Sequence, residues 1–173
     1  GMGLLGVADA AFSVASWGGW YDPTSWIAAT NLLGLLALLD AAVVALSANI
    51  VNLLDLRPGR AAKAFLIAWV VLAAVSWGSA YVVLSLPVAA ATLLWLAPDL
   101  NERGMLGDVG ANLLGAVLGA GVALSLTVRG RLVVLGALVV LTAASERWSF
   151  SGAINKVPPL RWLDRIGRSA ERG

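Results

Sequence analysis

Cysteine and histidine are both missing from this chain of 173 residues, and each absence narrows its chemistry. There is no cysteine, so disulfides and thiolate metal sites are excluded, and the redox compartment leaves no mark on the sequence. There is no histidine, which removes the usual general base at neutral pH and the commonest metal ligand. Charge is scarce: 13% of the residues are charged, about half the share of a soluble domain. The formal net charge of +2 is too small to suggest a nucleic-acid partner. Any chemistry must run on carboxylates, amides, hydroxyls and cations.

What remains is apolar. Hydrophobic residues make up 60% of the chain and the mean hydropathy is +0.85, the composition of an integral membrane protein. Met2 reads as the native start, and the stretch after it lacks the basic region of a cleaved signal peptide. A spanning helix needs about 20 apolar residues. Five segments meet or approach this: Ser25 to Leu54, broken only by Asp40; Ala64 to Trp77; Ala80 to Ala97, with Pro87 expected to kink it; Val109 to Val128; and Leu132 to Ser145. The second is short unless it starts among Arg60 to Lys63 with snorkelling cations. Gly3 to Trp17 is a sixth apolar stretch, short for a span. The fold class expected is an all-α polytopic bundle of five or six spans over residues 1–145, followed by a basic tail over 146–173.

Short loops pack these spans as one bundle. Gly115 and Gly119 form a GxxxG step, extended by Gly121, read first as close helix packing and also as a candidate contact for self-association. Basic residues orient the bundle: Arg57, Arg60 and Lys63 mark one cytoplasmic loop, and Arg147, Lys156, Arg161, Arg165, Arg168 and Arg172 place the C-terminus in the cytoplasm, across the inner (cytoplasmic) membrane. Alternation then makes Asp99 to Asp108 cytoplasmic and leaves Arg129 and Arg131 outside, against the rule. In the tail, "LRWLDRIGR" spaces Leu160, Leu163 and Ile166 helically among arginines. It reads as an interfacial amphipathic helix with Trp162 at headgroup depth, or as a solubilising basic tail.

Three carboxylates lie at or inside apolar segments: Asp9, Asp55 and Asp108. Ionisable groups there are expensive, so each is a candidate functional group, although helix-end carboxylates also snorkel or cap. Asp40 is a fourth, about 22 Å along a continuous helix from Asp55, which makes it a boundary residue at the opposite face. Asn49, Asn52 and Asp55 are three residues apart, on one flank of a helix. A carboxylate backed by amide oxygens suits Mg²⁺, and Arg57, Arg60 and Lys63 follow at once to neutralise a phosphate. Further on, "GMLGDVGANLLG" sets Gly107 and Gly110 around Asp108 just before a span. Glycines there admit a ligand to the backbone, or shape a turn capped by Asp108.

Together, N-x-x-N-x-x-D, one transmembrane hairpin, then M-x-G-D-x-G-(small) resemble the polyprenyl-phosphate sugar-1-phosphate transferases, which include phospho-N-acetylmuramoyl-pentapeptide transferase. The resemblance covers Ser47 to Leu126 and, less fully, the opening "GLLGVADA". It implies a multi-helix membrane enzyme that moves a sugar phosphate from a UDP-sugar to polyprenyl phosphate with Mg²⁺. On matching positions, Asn49, Asn52 and Asp55 take the first cytoplasmic cluster, Asp108 the metal-binding aspartate of the second, and Asp9 the early acidic pair. Arg57, Arg60 and Lys63 then face the lipid phosphate.

The chain also departs from that pattern. The early acidic pair is Asp9-Ala10, and D-G-x-D-G is "DLRPG", with Leu56 for a glycine and Pro58 for the second aspartate. The late histidine-rich loop has no counterpart, and about half of the family's spans are absent. The expectation is therefore a non-catalytic or partner-dependent subunit handling lipid-linked envelope precursors, working as a homo-oligomer or with a second membrane protein. Two alternatives stand: an active Mg²⁺-dependent transferase, and an unrelated small bundle such as a transporter component.

Overall fold

The computed structural model describes residues 23–147 together with Pro158 and Trp162, with side chains described from Ala29 to Ser145 and at those two positions. Among the described residues every regular element is a helix: α1 (Pro23–Leu54), α2 (Arg60–Val75), α3 (Ala80–Leu100), α4 (Gly107–Ser125) and α5 (Val128–Arg147). The all-α polytopic membrane class is what the sequence predicts. Four helices are long and apolar enough to cross a bilayer: Ala29–Leu54 within α1, then α3, α4 and Val128–Ser145 of α5. At 16 residues, α2 is about 24 Å long, short of a hydrocarbon core of about 30 Å. It does begin among the cations, but Arg60 is buried rather than snorkelling to the headgroups. The sixth apolar stretch, Asp9 and nearly all of the tail lie outside the described residues.

Small residues set the packing. Gly115 and Gly119 lie against the backbone of α1: a Cβ added at Gly119 would stand 2.5 Å from the Cα of Val44, and one at Gly115 2.5 Å from the Cα of Ala48. Membrane helices associate through such close approach, because lipid offers no hydrophobic force between them. The GxxxG face is thus filled inside the chain, which corrects its reading as a surface for self-association. Paired positions descend along α1 as they ascend along α4, so the two helices are antiparallel.

α2 and α3 form the second hairpin. The Trp69 indole N–H donates to Ser85 Oγ at 2.8 Å, and Ser85 donates to the Tyr81 carbonyl at 2.7 Å, so the polar groups between these helices satisfy each other. The core gathers Val51, Ala61, Phe65, Ala89, Ala111 and Leu114 from α1 to α4. α3 runs on as helix through both Pro87 and Pro98, so neither proline ends it.

Arg131 and Asp40 form a salt bridge, with Nη1 at 3.0 Å and 3.1 Å from the two carboxylate oxygens. Arg131 Nε also donates to the Leu126 carbonyl at 3.0 Å, and Arg131 is only 4% exposed. Asp40 is thus the partner of an arginine, and Arg131, expected as a cation of the turn outside, is instead a buried counter-ion within α5.

Candidate functional site

The sequence motifs meet at the end where α1 turns into α2 and α3 turns into α4. Helix α1 stops at Leu54, and Asp55 begins the turn with its N–H on the Asn52 carbonyl at 3.1 Å. Pro58 and Gly59 complete it. Gly59 takes the left-handed conformation at φ 73°, which a side chain resists, and a Cβ there would run into Leu100. On the other hairpin, α3 continues to Leu100 and a short loop leads to Gly107, also left-handed at φ 65°.

Two hydrogen bonds lace these turns together in opposite directions. The Gly59 N–H donates to Asp99 Oδ2 at 3.0 Å, and the Gly107 N–H donates to the Asp55 carboxylate. Each turn therefore supplies a glycine donor to a carboxylate of the other. The charges of Asp99 and, more weakly, Asp108 both act on Asp55. Burial pushes the Asp55 carboxyl above its ordinary range, and Asp99 and then Asp108 add to the rise, while the Gly107 N–H opposes it.

Sequence reasoning passed over Asp99. It was expected in a cytoplasmic loop; instead it lies in the last turn of α3, 1% exposed. Its Oδ1 is buried without a hydrogen-bond partner, and so is Oδ1 of Asn52. Buried polar atoms normally find partners, so each orphan oxygen calls for an explanation such as an ion or a ligand. The available signal was Pro98 itself: a proline next to a charge looks like a helix end, yet here it precedes the last two helical residues.

The remaining candidates are placed less uniformly. Asn49 is half-buried on α1, one turn before Asn52. Asp108 is exposed in the first turn of α4, where the helix dipole favours a carboxylate. It is not the cap: Leu106 occupies that position and no side chain caps the helix. Arg57 and Lys63 are half-buried, Arg60 is buried, and all three have interaction partners within the chain. Lys63 stands within electrostatic reach of Asp99. Lys63 thus helps to balance that carboxylate.

The loop after α3 carries backbone strain. Glu102 sits at φ 57°, the only non-glycine residue of positive φ among the described residues. Its N–H reaches the Asp99 carbonyl at 3.1 Å and the next N–H, of Arg103, reaches the Pro98 carbonyl at 3.0 Å. That is a Schellman cap with glutamate where glycine is usual. Strain of this kind persists where surrounding structure over-determines it, often at functional sites.

The donor set is hard and oxygen-based, which suits Mg²⁺, and the orphan oxygens of Asp99 and Asn52 are in keeping with that. Among the described residues no three acidic side chains are placed to hold one ion. Mg²⁺ commonly uses one or two carboxylates and takes its other ligands from water and substrate phosphate, so Asp55 and Asp108 fit a partial shell. The chain matches no protein-family model, no curated protein and no solved structure.

Proposed function

We propose that this chain binds lipid phosphates in the inner membrane, as a shortened relative of the polyprenyl-phosphate sugar-1-phosphate transferases that needs a partner to act on envelope precursors. The observation that carries this reading is the meeting of the two turns, where the Gly59 N–H donates to Asp99 Oδ2 at 3.0 Å and Gly107 lies beside Asp55, because it joins the two regions on which the resemblance rests. Asp55 and Asp108 would hold Mg²⁺, which would neutralise the lipid phosphate and leave Asn52 and Asp99 to fix the turns around it. Transfer needs more electrostatic positioning than this chain supplies alone. Ala10 and Pro58 stand where the family has carboxylates, no histidine is present, and loss of one well-placed contact costs on the order of 10²-fold in rate.

A second reading, an active Mg²⁺-dependent transferase, is favoured by one observation. Asp99 sits on the Gly59 N–H, next to Pro58, and so returns a carboxylate to the neighbourhood of the missing aspartate. One experiment separates the two. The purified chain is given Mg²⁺, undecaprenyl phosphate and a panel of UDP-sugars, with lipid binding and UMP release both measured. Mg²⁺-dependent binding weakened at least tenfold by Asp55→Asn with Asp108→Asn, and no UMP, is the expected result. UMP release abolished by Asp108→Asn would establish the enzyme. Binding no tighter than that of undecaprenol would sink both.

A further inference from the structure

α1 is longer than the bundle around it. Arg131 holds Asp40 and also the Leu126 carbonyl, so the turn between α4 and α5 lies near the level of Asp40. Tyr81, in the first turn of α3, lies against Gly121, one turn before α4 ends. α3, α4 and α5 therefore all end close to that level, while α1 continues from Asp40 back to Pro23, about 25 Å further. The hydrocarbon core ends there too. Lipid-exposed turns do not occur in hydrocarbon, and the turns at 76–79 and 126–127 stand at this level, with Trp77, 85% exposed, as an interfacial aromatic. The headgroups add only about 5–8 Å. Yet Leu32, Leu33, Leu35 and Leu38, on the arm that rises through and past them, are all exposed. Leucine finds no hydrocarbon at that height, so its cover must be protein.

We propose that a second copy of this chain supplies that cover, with α1 packed in parallel on its own image. Asn31, Gly34, Leu38, Ala41 and Ala45 follow one another in steps of three and four, the spacing of a two-helix seam, and all five are exposed. The seam runs about 21 Å, from the arm down into the membrane. A Cβ added at Gly34 would meet nothing within 4 Å, and Ala41 and Ala45 are small, so two backbones can approach along it. This is the side that α1 leaves free, since Val44 and Ala48 already lie against Gly119 and Gly115. The chemistry of the seam selects a copy of itself. The Asn31 amide is both donor and acceptor, so it pairs with its own image across a two-fold axis along the membrane normal, and one such asparagine fixes the register of a helix pair. α1 carries no charge from Pro23 to Leu39, so two copies do not repel. Copies in one bilayer share an orientation, which sets their arms parallel as that pairing requires. The proposal is independent of the lipid-phosphate reading.

The chain has no cysteine, so single introduced cysteines report contact directly. In phosphatidylethanolamine–phosphatidylglycerol liposomes, full chains carrying Leu38→Cys or Ala45→Cys should cross-link on oxidation about tenfold faster than Leu33→Cys, which is exposed on the opposite side of the arm. Gly34→Leu fills open space in the single chain, so the fold should survive while the dissociation constant of the pair, read by energy transfer between labelled copies, rises about tenfold. Asn31→Asp and Asn31→Lys should each pair about tenfold more weakly near pH 7, and mixing the two should restore pairing, a result that only contact of position 31 with itself produces. A wild-type protein that stays monomeric at every protein-to-lipid ratio would overturn the proposal. So would equal cross-linking of Leu33→Cys, unchanged pairing of Gly34→Leu, or folded Asp and Lys variants that ignore each other. Cross-linking of Leu38→Cys to a different protein in native membranes, with no pairing of the purified chain, would assign the seam to that partner and refute the self-contact.

Discussion

The two ends of the bundle treat buried acid in opposite ways. At one end Asp40 meets Arg131, charge is cancelled, and the guanidinium is satisfied by the carboxylate and the Leu126 carbonyl. At the other, Asp55 faces two further carboxylates, and the donors it and Asp99 receive are backbone N–H groups of glycine. At the first end the charges cancel, and the atoms left without partners there are neutral hydroxyls, of Ser79, Tyr81 and Ser125. The second keeps unpartnered oxygens on a carboxylate, Asp99, and on the amide of Asn52. Buried charge by itself therefore does not mark function in a membrane protein. What sets the second end apart is that its carboxylates face one another and take backbone N–H donors, with Lys63 acting on Asp99 from a distance.

The largest expected effect comes from breaking the closed end. Arg131→Met leaves Asp40 without its counter-ion, and removing one partner of a buried pair costs about 3–5 kcal/mol. Unfolding in mixed micelles should show that loss, while Asp40→Leu with Arg131→Met should recover most of it. A double variant as unstable as the single one would mean that the pair does more than cancel charge. Lipid-phosphate binding should survive in the double variant, because the pair is about 22 Å from Asp55.

The open end should respond to pH instead. The Asp55 carboxyl is raised above its ordinary value of 3.8, so the folded state favours the protonated form more than the unfolded state does. Its contribution is present below pH 3.8 and is lost as pH rises through the elevated folded value. Asp55→Asn keeps an acceptor for the Gly107 N–H and removes the charge. It should therefore be the more stable protein at neutral pH, by less than about 1 kcal/mol after solvent screening, with the gain vanishing in acid. Mg²⁺ should narrow the gap by stabilising the wild type alone. A difference that is constant from pH 3 to pH 7 would remove Asp55 from the unbalanced cluster.

Much of this was legible in the sequence for physical reasons. Apolar run lengths mark the membrane helices, and Asn49, Asn52, Asp55 and Asp108 stand out because polar groups at the ends of such runs are costly. Tertiary pairing was not legible. Nothing local joins Arg131 to Asp40 across 91 positions, and the partner of Gly115 and Gly119 is the featureless small-residue stretch around Ser47. Asp99 was hidden by Pro98, since the helix continues where proline suggests a stop.

The smallest effect tests whether the loop beside the site is strained for a reason. Glu102 holds the left-handed position of the cap, where a Cβ costs about 1–2 kcal/mol and glycine costs nothing sterically. Glycine also loses more conformational entropy on folding, by about 0.5–1 kcal/mol. Glu102→Gly should therefore stabilise the protein by only about 0.5–1 kcal/mol, visible as a melting-temperature rise of about 1–4 °C. Glu102→Ala keeps the Cβ and discards the charge, so it should bring no such gain. If both substitutions stabilise equally, relief of acidic repulsion is the cause and the backbone argument fails. If glycine alone stabilises while lipid-phosphate binding weakens, the glutamate holds the Asn101–Leu106 loop in the shape that keeps Asp99 on Gly59 and Asp55 on Gly107, which ties the strain to the open end of the bundle.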